Sequence, residues 1–96
     1  MLLHLLNRSP QSESIYREVG ESFGENDHLL LIEDACYAAL PAASELLTMF
    51  GGRVSVLEED LVSRGLRKRV VSSIAVVDMR GFLALTETHK RSVSWF

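Results

Sequence analysis

One cysteine and two carboxylates follow the most apolar stretch of the chain. The run Leu29-Leu30-Leu31-Ile32 has no polar alternation, which is typical of a strand covered on both faces of a parallel sheet. Glu33 and Asp34 end this run, and Cys36 follows among small residues that favour a helix. In open α/β sheets, ligands and reacting groups gather just beyond the carboxyl ends of the strands. Cys36 is therefore the first candidate for a reacting atom.

Two interpretations of Cys36 follow from its neighbours. A thiol near the N-terminus of a helix has a lowered pKa, and the thiolate is the form that attacks or carries sulfur. Glu33 and Asp34 act in the opposite direction, because nearby negative charge disfavours a thiolate. A cationic partner could still come from Arg8, across the edge of the sheet. The small apolar neighbours indicate burial, and a buried cysteine is commonly just a small apolar side chain. The residues favour this second interpretation.

Polar side chains follow each predicted strand, and the carboxyl ends of parallel strands meet at one edge. We therefore expect a polar edge, called the rim below, that consists of Asn7, Arg8, Glu33, Asp34, Cys36, Glu58, Asp60 and Asp78. Oxygen ligands such as Asp34, Glu58 and Asp78 would suit Mg²⁺. Acids after strands more often cap helices, however, and no pattern for phosphoryl transfer accompanies them. The sequence predicts no metal and no cofactor, and ligand or metal binding at the rim is an alternative.

RNA-binding, metal-binding and phosphate-binding sites have weaker support in the sequence. The basic triplet Arg67-Lys68-Arg69 could contact RNA phosphates, but three charges in a loop are more often only solvated. His4, His28 and His89 lie far apart and lack the spacing of metal ligands, so we interpret them as structural or surface residues. Gly51-Gly52 lacks the further glycine or lysine of a phosphate-binding loop. An enzyme acting on its own is not indicated.

Length and composition narrow the class of protein. A chain of 96 residues that is 47% hydrophobic and 24% charged predicts one folded domain, residues 1–96. A net charge of -3 excludes a surface built to coat nucleic acid. A single cysteine rules out an internal disulfide and fits a reducing compartment. The apolar start Met1 to Leu6 is too short for a signal peptide or a membrane span. We expect a cytoplasmic protein without a membrane contact.

Four short apolar runs predict strands near residues 2–6, 28–32, 54–57 and 74–77, the last as a buried strand. Helical segments separate them, which predicts a mostly parallel sheet with right-handed crossovers. Ser9 and Pro10 could begin the first helix, and Asp34 could cap the second. Residues 92–96 end in Trp95 and Phe96 and need cover, so we expect a fifth strand or a docked tail. A domain this small with so many apolar residues is expected to associate, and a homo-oligomer is one option when its partners are absent.

Four segments, in order along nearly the whole chain, resemble the TusB/DsrH family. They are Met1 to Pro10 with Leu6-Asn7-Arg8-Ser9-Pro10, Leu29 to Leu40, Leu57 to Gly65, and Val77 to Trp95. The resemblance implies a fold like that of DsrE and DsrF, a three-layer α/β/α sandwich on a mostly parallel sheet of four to five strands. The family's usual turn reads Asp-Gly-Val-Tyr-Ala, whereas this chain has Asp34-Ala35-Cys36-Tyr37-Ala38. The family therefore assigns no catalytic residue to this sequence.

The resemblance also implies a function. Family members assemble with TusC- and TusD-like subunits into a heterohexamer that relays persulfide sulfur toward 2-thiolation of the wobble uridine of tRNA. The persulfide-bearing cysteine would belong to the TusD-like subunit, and contact with tRNA would be indirect. We therefore expect a non-catalytic subunit. The alternatives are a sulfurtransferase that uses Cys36 itself, a DsrH-type role in dissimilatory sulfur oxidation, and a ligand- or metal-binding module at the rim.

Overall fold

A computed structural model describes all residues, 1–96. Its five strands form one sheet in the order β4-β3-β2-β1-β5, and every neighbouring pair is parallel. The strands are β1 (Leu2–Leu6), β2 (His28–Leu31), β3 (Val54–Leu57), β4 (Ala75–Val77) and β5 (Arg91–Trp95). The α-helices are α1 (Glu13–Ser22), α2 (Glu58–Ser63) and α3 (Met79–Thr88). Three 3₁₀ helices span Glu33–Ala39, Ser44–Phe50 and Arg67–Arg69.

The direction of the chain decides which face of the sheet each helix covers. From β1 to β4 the chain advances one strand at a time in a single direction, so right-handed crossovers place all three connections on one face. The connection from β4 to β5 returns across the sheet in the opposite direction, which places α3 on the other face. This arrangement is the expected α/β/α sandwich.

The face that carries α1 and α2 holds the main hydrophobic core. Alternate strand residues point to it, and its buried side chains include Leu6, Leu29, Leu31, Val54 and Val56. Tyr16 and Val19 from α1, Phe50 from the second 3₁₀ helix and Leu61 from α2 pack against them. The core is therefore built by one face of the sheet and the connections of its first four strands.

The opposite face, called the α3 face below, has thinner cover. Leu3, Leu30 and Leu57 are buried on this side of the sheet, yet α3 itself contains no buried residue. A Cβ atom on Gly81 would lie 2.8 Å from the Cβ atom of Val77, so glycine permits the close approach of α3 to β4. Leu83 on α3 remains 55% exposed. One helix thus covers this face only in part.

The four predicted strands are confirmed, with each end within one residue of its predicted position, and the fifth strand is present. The prediction of a buried strand at residues 74–77 is wrong in one respect. β4 begins at Ala75, and its three residues are exposed or half-buried. The reason is its position at the edge of the sheet, where no strand covers its outer side.

Two predicted helix starts are also wrong. The first helix begins at Glu13, because Ser9 instead accepts a hydrogen bond from the backbone N–H of Gln11 and forms a turn. Asp34 caps no helix: it lies inside the 3₁₀ helix Glu33–Ala39, which has Ile32 at its N-cap position. Pro41 follows directly after Leu40, the residue that ends this helix, so the segment stays short.

A buried hydrogen-bond network joins both ends of the chain to the loop before β2. The Asp27 carboxylate accepts from the N–H of Leu2 at 2.9 Å and of Gly24 at 2.8 Å, and its Oδ2 lies 2.9 Å from Nε2 of His4. The indole N–H of Trp95 donates to Nδ1 of His4 at 3.0 Å. Since an indole N–H only donates, Nδ1 carries no proton, and neutral His4 donates from Nε2 to Asp27. The network ties β5 to the centre of the sheet.

Asp27 carries the negative charge of this network. Burial alone would raise the pKa of Asp27, but the hydrogen bonds from His4, Gly24 and Leu2 outweigh it and lower the pKa to about 2. A lowered pKa in the folded state means that the ionised carboxylate stabilises the fold. That stabilisation is fully present above the ordinary pKa of 3.8 and is lost as the pH falls toward 2.

We expect Asp27→Asn to lower the free energy of unfolding by about 1–3 kcal/mol at neutral pH, because an amide cannot accept all of these hydrogen bonds. Chemical denaturation measures this change. Glu25→Gln, an exposed site two residues away, is the matched control and should have little effect. The difference between wild type and Asp27→Asn should shrink between pH 4 and pH 2, as the native carboxylate is protonated. A difference independent of pH would contradict this account.

Candidate functional site

The rim lies where β1 to β4 end, and its carboxylates are already bound within the chain, except that of Glu33, which is exposed and has no partner. Oδ2 of Asp60 accepts the backbone N–H of Glu33 at 2.7 Å. Asp34 forms an ion pair with Arg64 at 3.2 Å, and Glu58 forms one with Arg67 at 3.1 Å. The connections after β2 and β3 are thereby fastened to each other.

Asp78 is the rim acid that acts as a helix cap. Its side chain accepts the backbone N–H of Gly81 at 2.9 Å at the start of α3. Glu59, which the sequence did not single out, reaches the same helix start and accepts the N–H of Met79 at 3.1 Å. The two acids therefore hold the N-terminus of α3, where negative charge is favourable.

Asn7 and Arg8, at the end of β1, stand apart from this group. The side-chain oxygen of Asn7 is buried and has no hydrogen-bond partner in the chain. The backbone carbonyl of Arg8 accepts the hydroxyl of Tyr16 at 2.7 Å, while its guanidinium is exposed and forms no ion pair. The structure thus brings the acids after β2 and β3 together, but it does not bring Arg8 to Cys36.

Cys36 lies beneath the rim rather than on it. Its relative exposure is 0%, within a 3₁₀ helix whose Ala35, Ala38 and Ala39 are also buried. Burial, with a further contribution from the carboxylate of Asp60, raises the pKa of the Cys36 thiol to about 12 against the opposing charge of Arg64. The thiol is therefore protonated at neutral pH and out of reach of solvent.

The charges around Cys36 differ from those that the sequence suggested. Asp60 is the acid with the largest effect on the thiol, and Asp34 adds a smaller one. The cation is Arg64, which directly follows α2, instead of Arg8. No linear pattern could have identified Arg64, because its proximity depends on α2 packing against Glu33–Ala39.

Tyr16 is a second buried polar group near the thiol. Burial raises the pKa of its hydroxyl above the usual range, and the charge of the Cys36 thiolate would raise it further. The hydroxyl is used as a donor to the carbonyl of Arg8. This bond anchors α1 to the end of β1, a structural task.

The open surfaces of the rim are shallow. A cleft of about 400 Å³ is lined by Ser9, Pro10, Gln11, Asp34 and Tyr37. In the basic triplet, Arg67 is paired with Glu58, while Lys68 and Arg69 are exposed and form no ion pair. Across the rim, Trp95 is half-buried against the core, but Phe96 is 65% exposed. None of the helices has the length and apolar character that crossing a bilayer requires.

Comparison with known proteins gives one consistent result. The model of the family described as "DsrH like protein" matches residues 8–92. The chain is 32% identical over 96 residues to Protein TusB of Escherichia coli O1:K1 / APEC, which covers 98% of this chain and 100% of that protein. It is 31% identical, with the same coverage, to Protein TusB of Shigella flexneri and of Escherichia coli strain K12 / DH10B.

We expect the native Cys36 thiol to resist a disulfide reagent such as dithionitrobenzoate and to react fully once the chain is denatured, because the thiol is buried and protonated. The control is Val62→Cys in a Cys36→Ser background. Val62 is 61% exposed on α2, so a thiol there should react at once. Equal rates for native and denatured wild-type protein would contradict the geometry.

Proposed function

The chain belongs to the DsrH-like family, and from this premise we propose that it is a single-domain, non-catalytic subunit of a cytoplasmic sulfur-relay complex. In this proposal the complex resembles TusBCD and passes persulfide sulfur toward 2-thiolation of the wobble uridine of tRNA. The relatives named TusB support this choice, since they match over the full length of the chain. Assembly of this chain with TusC- and TusD-like subunits into a heterohexamer is part of the proposal.

The burial of Cys36 is the observation that carries the proposal. A protein thiol receives and passes on persulfide sulfur as an accessible thiolate, because the thiolate is the nucleophile. The chain has one cysteine, and its thiol is fully buried with its pKa raised to about 12. In the proposed complex, the cysteine that carries sulfur therefore belongs to another subunit, and the family resemblance assigns it to the TusD-like one. The alternative that Cys36 is itself the sulfur carrier is not favoured.

The α3 face supports a role in assembly. Met79 and Leu83 on α3 are 45% and 55% exposed, and Phe82 and Leu85 are only half-buried. Apolar side chains on a helix that covers a sheet face incompletely are typical of a surface that a partner completes. We assign this surface to the partner subunits. Contact with tRNA is then indirect, and Lys68 and Arg69 are left to solvent.

A role in dissimilatory sulfur oxidation is the second candidate, since the matching family model carries the DsrH name. Both functions use the same type of subunit, with no reaction on this chain. Thiolation is preferred because the relatives that match from end to end are named TusB. A genome that encodes TusC- and TusD-like chains next to this one would support either relay, and its other sulfur genes would separate the two.

We expect Cys36→Ser to leave sulfur transfer by the assembled complex nearly unchanged, because the thiol takes no part in the relay. The measurement is the transfer of labelled sulfur from a persulfide donor to the acceptor protein. A serine at the partner's sulfur-carrying cysteine is the control that should abolish transfer. A loss with Cys36→Ser as large as in that control, in a complex that still assembles, would refute the non-catalytic assignment.

We expect Leu83→Glu to weaken binding to the TusC- and TusD-like subunits by at least about tenfold, because it places a charge in an apolar contact. Val62→Glu is the matched control, since Val62 is equally exposed but lies on α2, on the other side of the sheet. Titration calorimetry or co-purification measures both variants. Equal binding by Leu83→Glu and wild type would remove the α3 face as the docking surface.

A further inference from the structure

β5 leaves one edge of the sheet without a partner strand. It pairs with β1 along five residues in an unbroken register, and its outer side is free. Edge strands in soluble proteins are commonly protected by prolines, bulges, charges or short length. The opposite edge strand, β4, has only three residues. β5 has neither a proline nor a bulge, and its one charge is Arg91 at its start.

The sequence of β5 is complementary to itself when two copies run antiparallel. Arg91-Ser92-Val93-Ser94-Trp95 has Val93 at its centre. A two-fold axis through Val93 places Ser92 opposite the partner's Ser94, and Arg91 opposite the partner's Trp95. Directly opposed residues of an antiparallel pair lie on the same face of the sheet. The two serines can exchange hydroxyl hydrogen bonds on the α3 face. Arg91 and the partner's Trp95 meet on the opposite face, which holds the main hydrophobic core.

Arg91 and Trp95 are available for such a pair. Arg91 is exposed and forms no ion pair within the chain. The indole of Trp95 lies beside the ring of His4 and nearly in the same plane, with 6.2 Å between centroids and 19° between planes. His4 therefore covers neither face of the indole. A guanidinium above the face of a tryptophan is a favourable contact.

We propose that β5 is a self-association strand, which pairs antiparallel with β5 of a second copy of this chain about an axis at Val93. The two five-stranded sheets then form one continuous sheet. Backbone hydrogen bonds across the edge supply the contact, and the two pairs of Arg91 and Trp95 fix the register. The contact runs along the backbone edge of β5 and does not use the surface of α3, so the inference goes beyond the proposed function and is tested separately from it by the self-association of this chain alone.

A charge exchange at Ser92 and Ser94 tests the pairing, because both side chains are exposed and outside the core. In the double variant Ser92→Lys, Ser94→Lys, each lysine lies opposite a lysine of the second copy. In Ser92→Lys, Ser94→Glu, each lysine lies opposite a glutamate. Sedimentation equilibrium of the full chain should show about tenfold weaker self-association for the first variant and wild-type or tighter association for the second.

Disulfide formation at the axis tests the register. In Val93→Cys the two new cysteines lie directly opposite each other, within the Cα separation that a disulfide accepts. We expect a covalent dimer on mild oxidation, while Val62→Cys on α2 should stay largely uncrosslinked. Cys36 does not interfere, because it is buried.

Three results would overturn the proposal. One is a wild-type chain that stays monomeric at every concentration. Another is a dimer of equal strength in both charge variants. The third is a dimer that Leu83→Glu abolishes while the lysine pair leaves it intact, which would place self-association on the α3 face instead. Leu83→Glu could also lose partner binding and keep self-association. That result supports the α3 face as the docking surface and leaves β5 as the self-association strand.

Discussion

Right-handed crossovers in a parallel sheet are the constraint on which the other features of this molecule depend. Three successive connections advance in one direction and must lie on one face, and the single return to β5 must lie on the other. That asymmetry gives one well-packed face and one face covered by a single helix. It also aligns the carboxyl ends of all strands at the rim and leaves β5 at an edge.

The return strand is fastened by the network of Asp27, His4 and Trp95. β5 is the last strand of the chain and lies beside the first, so its pairing with β1 closes a loop that spans nearly the whole sequence. The indole bond to His4 adds a side-chain anchor to that ladder, and the charge of Asp27 fixes the tautomer of His4. The stability of the sheet edge therefore depends on one buried carboxylate at the other end of β1.

Much of the fold could be predicted because its signal is local. The apolar run Leu29 to Ile32 predicts a buried strand without any tertiary information, since a strand covered on both faces must be apolar throughout. The exposure of β4 could not be read in this way, because the sequence does not say which strand lies at an edge. The 3₁₀ helix Glu33–Ala39 was also missed, because apolar periodicity cannot distinguish so short a helix from an α-helix.

The sequence predicts which residues follow the strand ends and form the rim, but it does not predict what those residues bind. Strand ends can be placed side by side from the topology alone, and the hydrogen bond from Glu33 to Asp60 does join the segments after β2 and β3. The ion-pair partners of the rim acids, Arg64 and Arg67, follow α2 in the chain, and their positions depend on how that helix packs. The same packing buries Cys36, so the chemistry of the thiol is a property of the tertiary structure rather than of its neighbours in sequence.

The central question about this chain is whether it ever carries sulfur. The most direct measurement is the intact mass of this subunit, taken from the working complex during turnover with a persulfide donor and without reductant. A buried and protonated thiol predicts no added sulfur on this chain, while the proposed TusD-like partner gains one sulfur atom in the same sample. A gain of one sulfur atom on this chain that is absent in Cys36→Ser would contradict the account.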